Sequence, residues 1–267
     1  MTSEEKISEY VNQSVESGVK PMTLYFEPIY DCYYGEINSF RASVRINSVI
    51  SGTLNADDYL NAEIPTETAA ELTLRFIAKA MRAKAELTGA GVFFKWVSVR
   101  CPSGIIREKK LYKKIKELKT TDDAFEKICL EFNCSIMQGE EAAIAETFGD
   151  LRAAGLRVAV NGFGGDSFQL QKLLKVSPDY LFSDVKLTRL ATNKEKQLAI
   201  APMINFAKSL GCEVVITGMI SDEELKEFKA RECVGFIPDK EYKGILNIPA
   251  AREYTARELA ARPNGNI

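Results

Sequence analysis

The residues of this chain that could carry out acid-base or metal chemistry are carboxylates and lysines, because the sequence contains no histidine. This absence excludes Ser-His and Cys-His nucleophilic dyads and removes the commonest transition-metal ligand. Six cysteines are present, but none form a Cys-x-x-Cys pair. The spacing therefore favours reduced thiols over a disulfide framework or a zinc site. Any catalysis must rest on carboxylates, lysine or a metal bound by oxygen.

Two local patterns suggest ligand binding but have simpler interpretations. The glycine-rich loop Asn161–Asp166 lacks the spacing of a dinucleotide-binding loop and the lysine of a P-loop. Its glycines are better explained by a tight turn between a strand and a helix. The lysine-rich run Lys109–Lys119 carries Leu111, Ile115 and Leu118 at helical spacing, which predicts a solvated helix face and no nucleic-acid site.

Composition limits the classes of partner and the location of the protein. With 35 basic and 37 acidic residues, the formal net charge of −2 gives no general reason to expect nucleic acid or a membrane surface as partner. The N-terminus lacks the features of a secretory signal, and no apolar run is long enough to span a bilayer. We therefore expect a cytoplasmic protein without membrane insertion.

The elements that must position these residues alternate between strands and helices along the chain, which predicts parallel βα units. Eight strands in one domain predict closure into a TIM-type (β/α)8 barrel, an α/β fold, with an extra N-terminal helix. We expect the helix and a linker in residues 1–20, the barrel in 21–261 and a flexible tail in 262–267. The predicted strands are Thr23–Ile29, Ala42–Ile46, Val92–Val99, Ile128–Glu131, Arg157–Val160, Tyr180–Ser183, Glu213–Ile216 and, more weakly, Val234–Phe236.

Helix ends are also marked in the sequence. Ser221 followed by Glu224 predicts a capping box, and Gly89, Gly155 and Gly211 stand where helices should stop. Pro202 lies within the helical pattern Lys194–Leu210 and predicts a kink or a new start there.

From Thr23 to about Pro249 the order of segments resembles an EAL domain, the cyclic di-GMP phosphodiesterase family. LYFEPIYD (Leu24–Asp31) resembles the opening Tyr-Gln-Pro-Ile strand of the family. The segment Leu151–Asp184 resembles, without a gap, the stretch that contains the Asp-Asp-Phe-Gly-Thr-Gly loop and the Asp-Tyr-Leu-Lys-Ile-Asp strand. Leu210–Phe236 and Lys243–Pro249 stand where the Ala-Glu-Gly-Val-Glu loop and the Gln-Gly-Tyr segment would be.

The resemblance implies a site that holds two divalent cations on carboxylate and amide oxygens, and most of those positions have changed. RASVR places Arg41 at the metal-binding glutamate and Arg45 at a phosphate-binding arginine. VSVRCPSG places Arg100 at a metal-binding asparagine, and CLEFNC retains Glu131 at a metal-binding position. At the remaining positions the family's residues are replaced by Cys134, Asn161, Gly162, Phe182, Thr217, Ile220 and Lys243.

These replacements predict loss of metal-dependent hydrolysis. A guanidinium about 4 Å from a divalent cation would be repelled by roughly 8 kcal/mol at an effective dielectric of about 20. Glu131 alone cannot hold two cations, so we expect no catalytic residues, no bound metal and no cofactor.

Two interpretations of the vestigial site Arg41, Arg45, Arg100, Glu131, Asn161 and Lys243 remain open. In the first, an arginine pairs with Glu131 and fills the former metal space. In the second, the arginines bind an anion without metal, such as a nucleotide phosphate.

The leading functional hypothesis is a catalytically inactive EAL-like module that acts through a protein partner, or as a homodimer, in bacterial cyclic di-GMP-type signalling. The alternatives are a metal-independent sensor of cyclic di-GMP or another anion and, weakest, an active phosphodiesterase. The helix expected over Ser3–Ser17 would pack on the barrel, pair with another subunit or continue from an upstream domain.

Overall fold

The fold is described from a computed structural model. It covers residues 7–12, 22–48, 52–60, 62–107, 111–243 and 253–261. The predicted tail 262–267 and most of the predicted N-terminal segment 1–20 lie outside this range, as does most of Lys243–Pro249.

Within the described residues, eight strands close into a barrel in the order β1-β2-β4-β5-β6-β7-β8-β9, and β9 pairs again with β1. The remaining two strands attach at the sides, β3 to β2 and β10 to β1. The strands are β1 (Met22–Tyr30), β2 (Ile37–Ser48), β3 (Gly52–Leu54), β4 (Val97–Cys101), β5 (Ile128–Asn133), β6 (Arg157–Phe163), β7 (Tyr180–Ser183), β8 (Glu213–Met219), β9 (Gly235–Pro238) and β10 (Tyr254–Thr255).

The expectation of parallel units throughout is wrong for β1, which runs antiparallel to both of its neighbours in the barrel. The reason lies in the connection to β2, since residues 31–36 are too few for the crossover that parallel strands need. The carboxylate of Asp31 accepts hydrogen bonds from the backbone N–H groups of Tyr33 and Tyr34 at 2.8 and 3.1 Å. Gly35 adopts a positive φ of 69° in the same turn. The chain therefore reverses as a hairpin.

The predicted strand Val92–Val99 is also too long, because β4 begins only at Val97. The residues before it approach β2 through single hydrogen bonds, from Lys95 N–H to the carbonyl of Asn38 at 2.7 Å and from Phe40 N–H to the carbonyl of Trp96 at 3.1 Å.

Helices surround the barrel, and several of the predicted helix ends are found. Gly155 ends α5 in the left-handed conformation at φ 101°, and the hydroxyl of Ser221 accepts from the N–H of Glu224 at the start of α9. Pro202 lies in the first turn of α8, where a missing N–H costs nothing. The helices are α1 (residues 7–12), α2 (Ala56–Leu60), α3 (Thr66–Gly89), α4 (Leu111–Leu118), α5 (Glu141–Ala154), α6 (Leu173–Val176), α7 (Val185–Arg189), α8 (Ile200–Ser209), α9 (Asp222–Ala230) and α10 (Ala256–Ala260).

Two apolar clusters stabilise this arrangement. The larger one contains residues of strands and helices alike, such as Phe40 and Phe76, and lies between the barrel and the helices. The smaller one fills the inside of the barrel and consists of Ile29, Trp96, Cys129, Ala159, Tyr180, Phe182, Val215 and Ile237. Alternation along each strand produces the two clusters, since successive side chains point to opposite faces.

The described part of α1 packs against the rest of the chain. Val11 is fully buried in the larger cluster, and the hydroxyl of Thr68 on α3 donates to the side-chain oxygen of Asn12. Among the described residues, no helix combines the length and apolar character needed to cross a bilayer.

Candidate functional site at the barrel mouth

The carboxyl ends of the parallel strands form the mouth of the barrel, and three of the six predicted site residues meet there. Glu131 on β5 lies in register with Arg100 on β4, and Arg41 on β2 lies in register with Ser98. Because these residues alternate with outward-facing ones such as Phe40, Val99 and Leu130, their side chains point into the barrel.

Arg41 and Glu131 form a two-pronged ion pair. The Nε of Arg41 donates to both carboxylate oxygens of Glu131, at 3.1 Å to Oε1 and 3.0 Å to Oε2, and its Nη2 donates to Oε1. The exposed fractions of the two side chains are 11% and 1%. Burial alone lowers the pKa of Arg41, but the charge and hydrogen bonds of Glu131 raise it by more, so the net pKa lies above its ordinary value. Arg41 therefore stays charged.

Two further contacts complete the surroundings of this pair. The Ser98 hydroxyl donates to Oε2 of Glu131 at 3.2 Å. The guanidinium carbon of Arg41 lies 5.0 Å from the ring centroid of Phe182, which is fully buried. The resemblance assigns a lysine to the position of Phe182, and a neutral ring there accommodates the arginine that a lysine would repel.

Arg100 adds a second cation, but carboxylates outnumber the arginines. Its Nε lies 3.9 Å from Glu131, and its Nη2 pairs with Asp57 on α2. Arg41 also lies 3.9 Å from Glu27 on β1. We call these five residues the mouth cluster. Two basic and three acidic side chains meet in it, so carboxylates surround both arginines.

The pKa values of two carboxylates in the mouth cluster, Glu27 and Asp57, are shifted in opposite directions. Desolvation raises the pKa of Glu27, and the attraction of Arg41 offsets only part of this effect. Burial also raises the pKa of Asp57, but the hydrogen bond and charge of Arg100 lower it by more. Asp57 therefore remains an anion that neutralises Arg100.

Arg45 lies apart from this cluster. It pairs with Glu253, and its guanidinium carbon stacks 4.0 Å from the ring centroid of Tyr25. Tyr25 lies on β1 two residues after Thr23, which is the partner of Arg45 in the antiparallel ladder. Arg45 is therefore held by the edge of the barrel to which β10 attaches.

Asn161 lies on β6, between β5 and β7. It pairs in register with Asn133 and Phe182, and Gly162 follows it at a φ of 90°. A Cβ on Gly162 would lie 2.9 Å from the sulfur of Cys134. Conformation and space therefore close this position, to which the resemblance assigns an aspartate, to any side chain.

At the position of the loop glutamate, Thr217 is tied into a buried hydrogen-bond network. Its hydroxyl donates to the carbonyl of Ser183 at 2.5 Å, and its N–H donates to the Ser183 hydroxyl at 2.9 Å. Thr188 closes the network by donating to the carbonyl of Thr217 at 2.8 Å.

Lys243 is exposed, and its N–H donates to the carbonyl of Ile220 at 3.1 Å.

The donor set does not fit the two divalent cations of the family. Both oxygens of Glu131 are engaged by Arg41, and a second guanidinium approaches to 3.9 Å. Within the described ranges, no group of three or more histidine, cysteine, aspartate or glutamate residues is arranged to hold a metal ion. A cation would have to displace Arg41 from a buried pair before it could bind.

Sequence reasoning missed carboxylates that neutralise the arginines and the hydroxyl that donates to Glu131. Asp57, Ser98 and Glu253 lie at positions to which the resemblance gives no role. Ser98 had a usable signal, because it is two residues before Arg100 on one strand and must share its face. Asp57 and Glu253 come from other parts of the chain, and only the closed barrel brings them to the arginines.

Several solved structures of EAL proteins are similar in fold to this chain. An EAL domain protein from Listeria monocytogenes EGD-e is 19% identical with a TM-score of 0.71, over 98% of this chain and 97% of that one. The phosphodiesterase PaMucR in complex with c-di-GMP is 15% identical with a TM-score of 0.73, over 95% and 99% of the two chains. The EAL enzyme Bd1971 in its cAMP and cyclic-di-GMP bound form is 15% identical with a TM-score of 0.74, over 98% and 70%.

Among curated proteins no match was found. The model of the EAL domain family, by contrast, matches residues 11–236. This range spans the barrel from before β1 into β9 and includes every residue of the mouth cluster. The chain therefore belongs to the EAL domain family.

Proposed function

We propose that this chain is an EAL domain that does not hydrolyse cyclic di-GMP and that acts through contact with a protein partner in a cyclic di-GMP-type signalling system. The observation that carries the proposal is the buried pair of Arg41 and Glu131, in which the one retained acidic position is fully occupied by a cation of the chain itself. The barrel is maintained while its chemistry is not, which is what a scaffold for contacts requires.

The signalling context rests on relatives of the same fold. The structures of PaMucR and of Bd1971 were determined with c-di-GMP bound. The cysteines of this chain are all free, which agrees with a reducing compartment and supports our placement of the protein in the cytoplasm.

The alternative of a sensor that binds an anion at Arg41 and Arg100 gains no support from the mouth cluster. Glu131, Glu27 and Asp57 already surround both guanidinium groups. An anion would have to displace these carboxylates and would be repelled by any that remained. Lys243 is exposed but lies beside Ile220 and outside this cluster.

Incubation of the pure protein with cyclic di-GMP and Mn²⁺ or Mg²⁺ tests the proposal. We expect no linear product above the protein-free rate, because neither cation has a set of ligands. Turnover that Glu131→Gln abolishes would overturn the proposal. The matched control is Glu141→Gln, since Glu141 pairs with Lys175 on the outer helices at 2.7 Å and its loss should leave any turnover unchanged.

Light scattering distinguishes a homodimer from a module that needs a different partner. The full chain is compared with a variant that lacks residues 1–19. A dimeric mass that falls to the monomer on truncation would assign the partner role to a second copy.

A further inference from the structure

The opposite end of the barrel carries a cavity that the proposed function does not use. It lies at the amino ends of the parallel strands, where Arg157, Tyr180 and Glu213 are the first residues of β6, β7 and β8. Lys95 and Trp96, which come directly before β4, also line it. We call this space the floor cavity. Its volume is about 250 Å³, which is smaller than a site for a drug-sized molecule and suits a ligand of the size of an amino acid.

One wall of the floor cavity is a preformed aromatic surface. Trp96 and Tyr180 stack with their ring centroids 4.3 Å apart and are only 5% and 2% exposed. Trp96 also meets Phe182 edge-on at 6.1 Å, and this ring supports Arg41 at the mouth. The aromatic wall is therefore fixed by packing before any ligand arrives.

The charged residues of the cavity are of both signs and do not neutralise one another. Arg157 donates to the hydroxyl of Tyr180 at 2.8 Å through one of its terminal nitrogens. Among the described residues, no ion pair within 4.0 Å joins Arg157, Lys95 or Glu213 to an opposite charge. All three side chains are exposed at this end of the barrel, so their charges are accessible to a ligand that enters the floor cavity.

The arrangement of these charges specifies the ligand. A planar guanidinium that still has free donors suits a carboxylate, and Lys95 adds a second positive charge. Glu213 would repel a simple anion, but it would attract an ammonium group. A ligand with one carboxylate and one ammonium group satisfies both signs at once.

We propose that the floor cavity binds a small zwitterion of the amino-acid class, with its carboxylate on Arg157 and Lys95 and its ammonium group on Glu213. The proposal is independent of the mouth cluster and of the proposed function, so either one can fail without the other.

The chain offers a direct reporter, because Trp96 is its single tryptophan. The native protein is titrated with each of the common non-aromatic α-amino acids, and the tryptophan emission is followed together with the heat of binding. Propionate and ethylammonium serve as probes with one charge only. We expect at least one amino acid to saturate the signal with a Kd below about 1 mM and both single-charge probes to bind at least about tenfold more weakly.

Two variants test the assigned roles. Glu213→Gln keeps the shape of an exposed side chain and should weaken binding of the amino acid at least about tenfold. Binding of propionate should not weaken, because the variant removes a negative charge that repels it. Arg157→Met should abolish binding of both. Lys175→Met, on the outer helices, is the matched control and should bind as the native chain does. Near-ultraviolet circular dichroism verifies that each variant is folded.

Three results would overturn the proposal. The first is the absence of both emission change and heat with every amino acid. The second is binding of propionate as tight as that of the best amino acid. The third is unchanged binding in a folded Glu213→Gln variant.

Discussion

Arg41 and Glu131 show how an arginine, at a position to which the resemblance assigns a metal-binding glutamate, is stabilised by its surroundings. A carboxylate as deeply buried as Glu131 is costly unless it is paired and hydrogen-bonded. Here the fork of Arg41 and the hydroxyl of Ser98 satisfy both oxygens. The guanidinium of Arg41 therefore balances the buried charge of Glu131 from within the chain.

Removal of one partner of this pair should be strongly destabilising. Arg41→Met leaves Glu131 charged and buried, and we expect the free energy of unfolding in urea to fall by about 3–5 kcal/mol. The control is Arg45→Met, because Arg45 and Glu253 are each 31% exposed and are therefore less desolvated than Arg41 and Glu131. Pairs lose strength as they approach the solvent, down to about 0–1 kcal/mol when fully exposed, so we expect a smaller loss. Equal losses in the two variants would contradict the assigned role.

The double variant Arg41→Met, Glu131→Leu separates the effect of charge on stability from the effect of packing. Replacement of a whole buried pair by apolar residues of similar volume is often neutral. We therefore expect the double variant to recover most of the stability that Arg41→Met loses. If it remained as unstable as the single variant, packing and not charge would be responsible.

Among the elements, the last part of β6 depends on Gly162, which lies where the pairing with β7 shifts register between Asn161 and Phe163. Its φ of 90° is unfavourable for any other residue, and the sulfur of Cys134 lies 2.9 Å from where a Cβ would be. Gly162→Ala should therefore lower the free energy of unfolding by about 1–3 kcal/mol. Gly149→Ala is the control, since Gly149 lies in α5 with nothing within 4 Å of its added Cβ. There we expect a gain of about 0.5–1 kcal/mol, because alanine suits a helix interior better than glycine. Denaturation of both variants in urea provides the comparison. A Gly162→Ala variant more stable than the native chain would contradict the prediction that a side chain is strained at this position.

The strands show how much of the fold could be predicted from the sequence. Short β-rich runs between helical patterns located all eight barrel strands, and Tyr180–Ser183 has the bounds that were predicted. The antiparallel direction of β1 was missed because hydrophobic patterning carries no information on strand direction. The six residues between β1 and β2 did carry it, since no helix fits into them.

In the whole molecule, the sites depend on contacts that no local pattern encodes. The resemblance placed Arg41, Arg100 and Glu131 at one end of the barrel, and they do meet there. It could not supply Asp57 or Glu253, because these residues come from segments far away in the chain. The floor cavity was missed for the same reason, since Trp96, Tyr180 and Glu213 are brought together only when the barrel closes.

Thiol reactivity should report the integrity of the closed barrel as a whole. Five of the six cysteines are buried, and only Cys134 is half-exposed. Desolvation raises the pKa of every one of them, that of Cys212 to about 11. At a pH of about 8, a thiol with that pKa is about one part in a thousand thiolate, which is the reactive form.

We therefore expect Ellman's reagent to label the native chain slowly at a pH of about 8, with Cys134 first, and to label all six cysteines at once in urea. Cys134→Ser should remove the first phase, whereas Cys212→Ser should leave it unchanged. Because Cys129 lies inside the barrel, its labelling requires the ring of strands to open, and its rate should follow the stability of the whole fold. Arg41→Met should accordingly accelerate labelling of Cys129 more than Arg45→Met does. Several thiols that react as fast in the native chain as in urea would mean that the barrel opens far more readily than its packing implies.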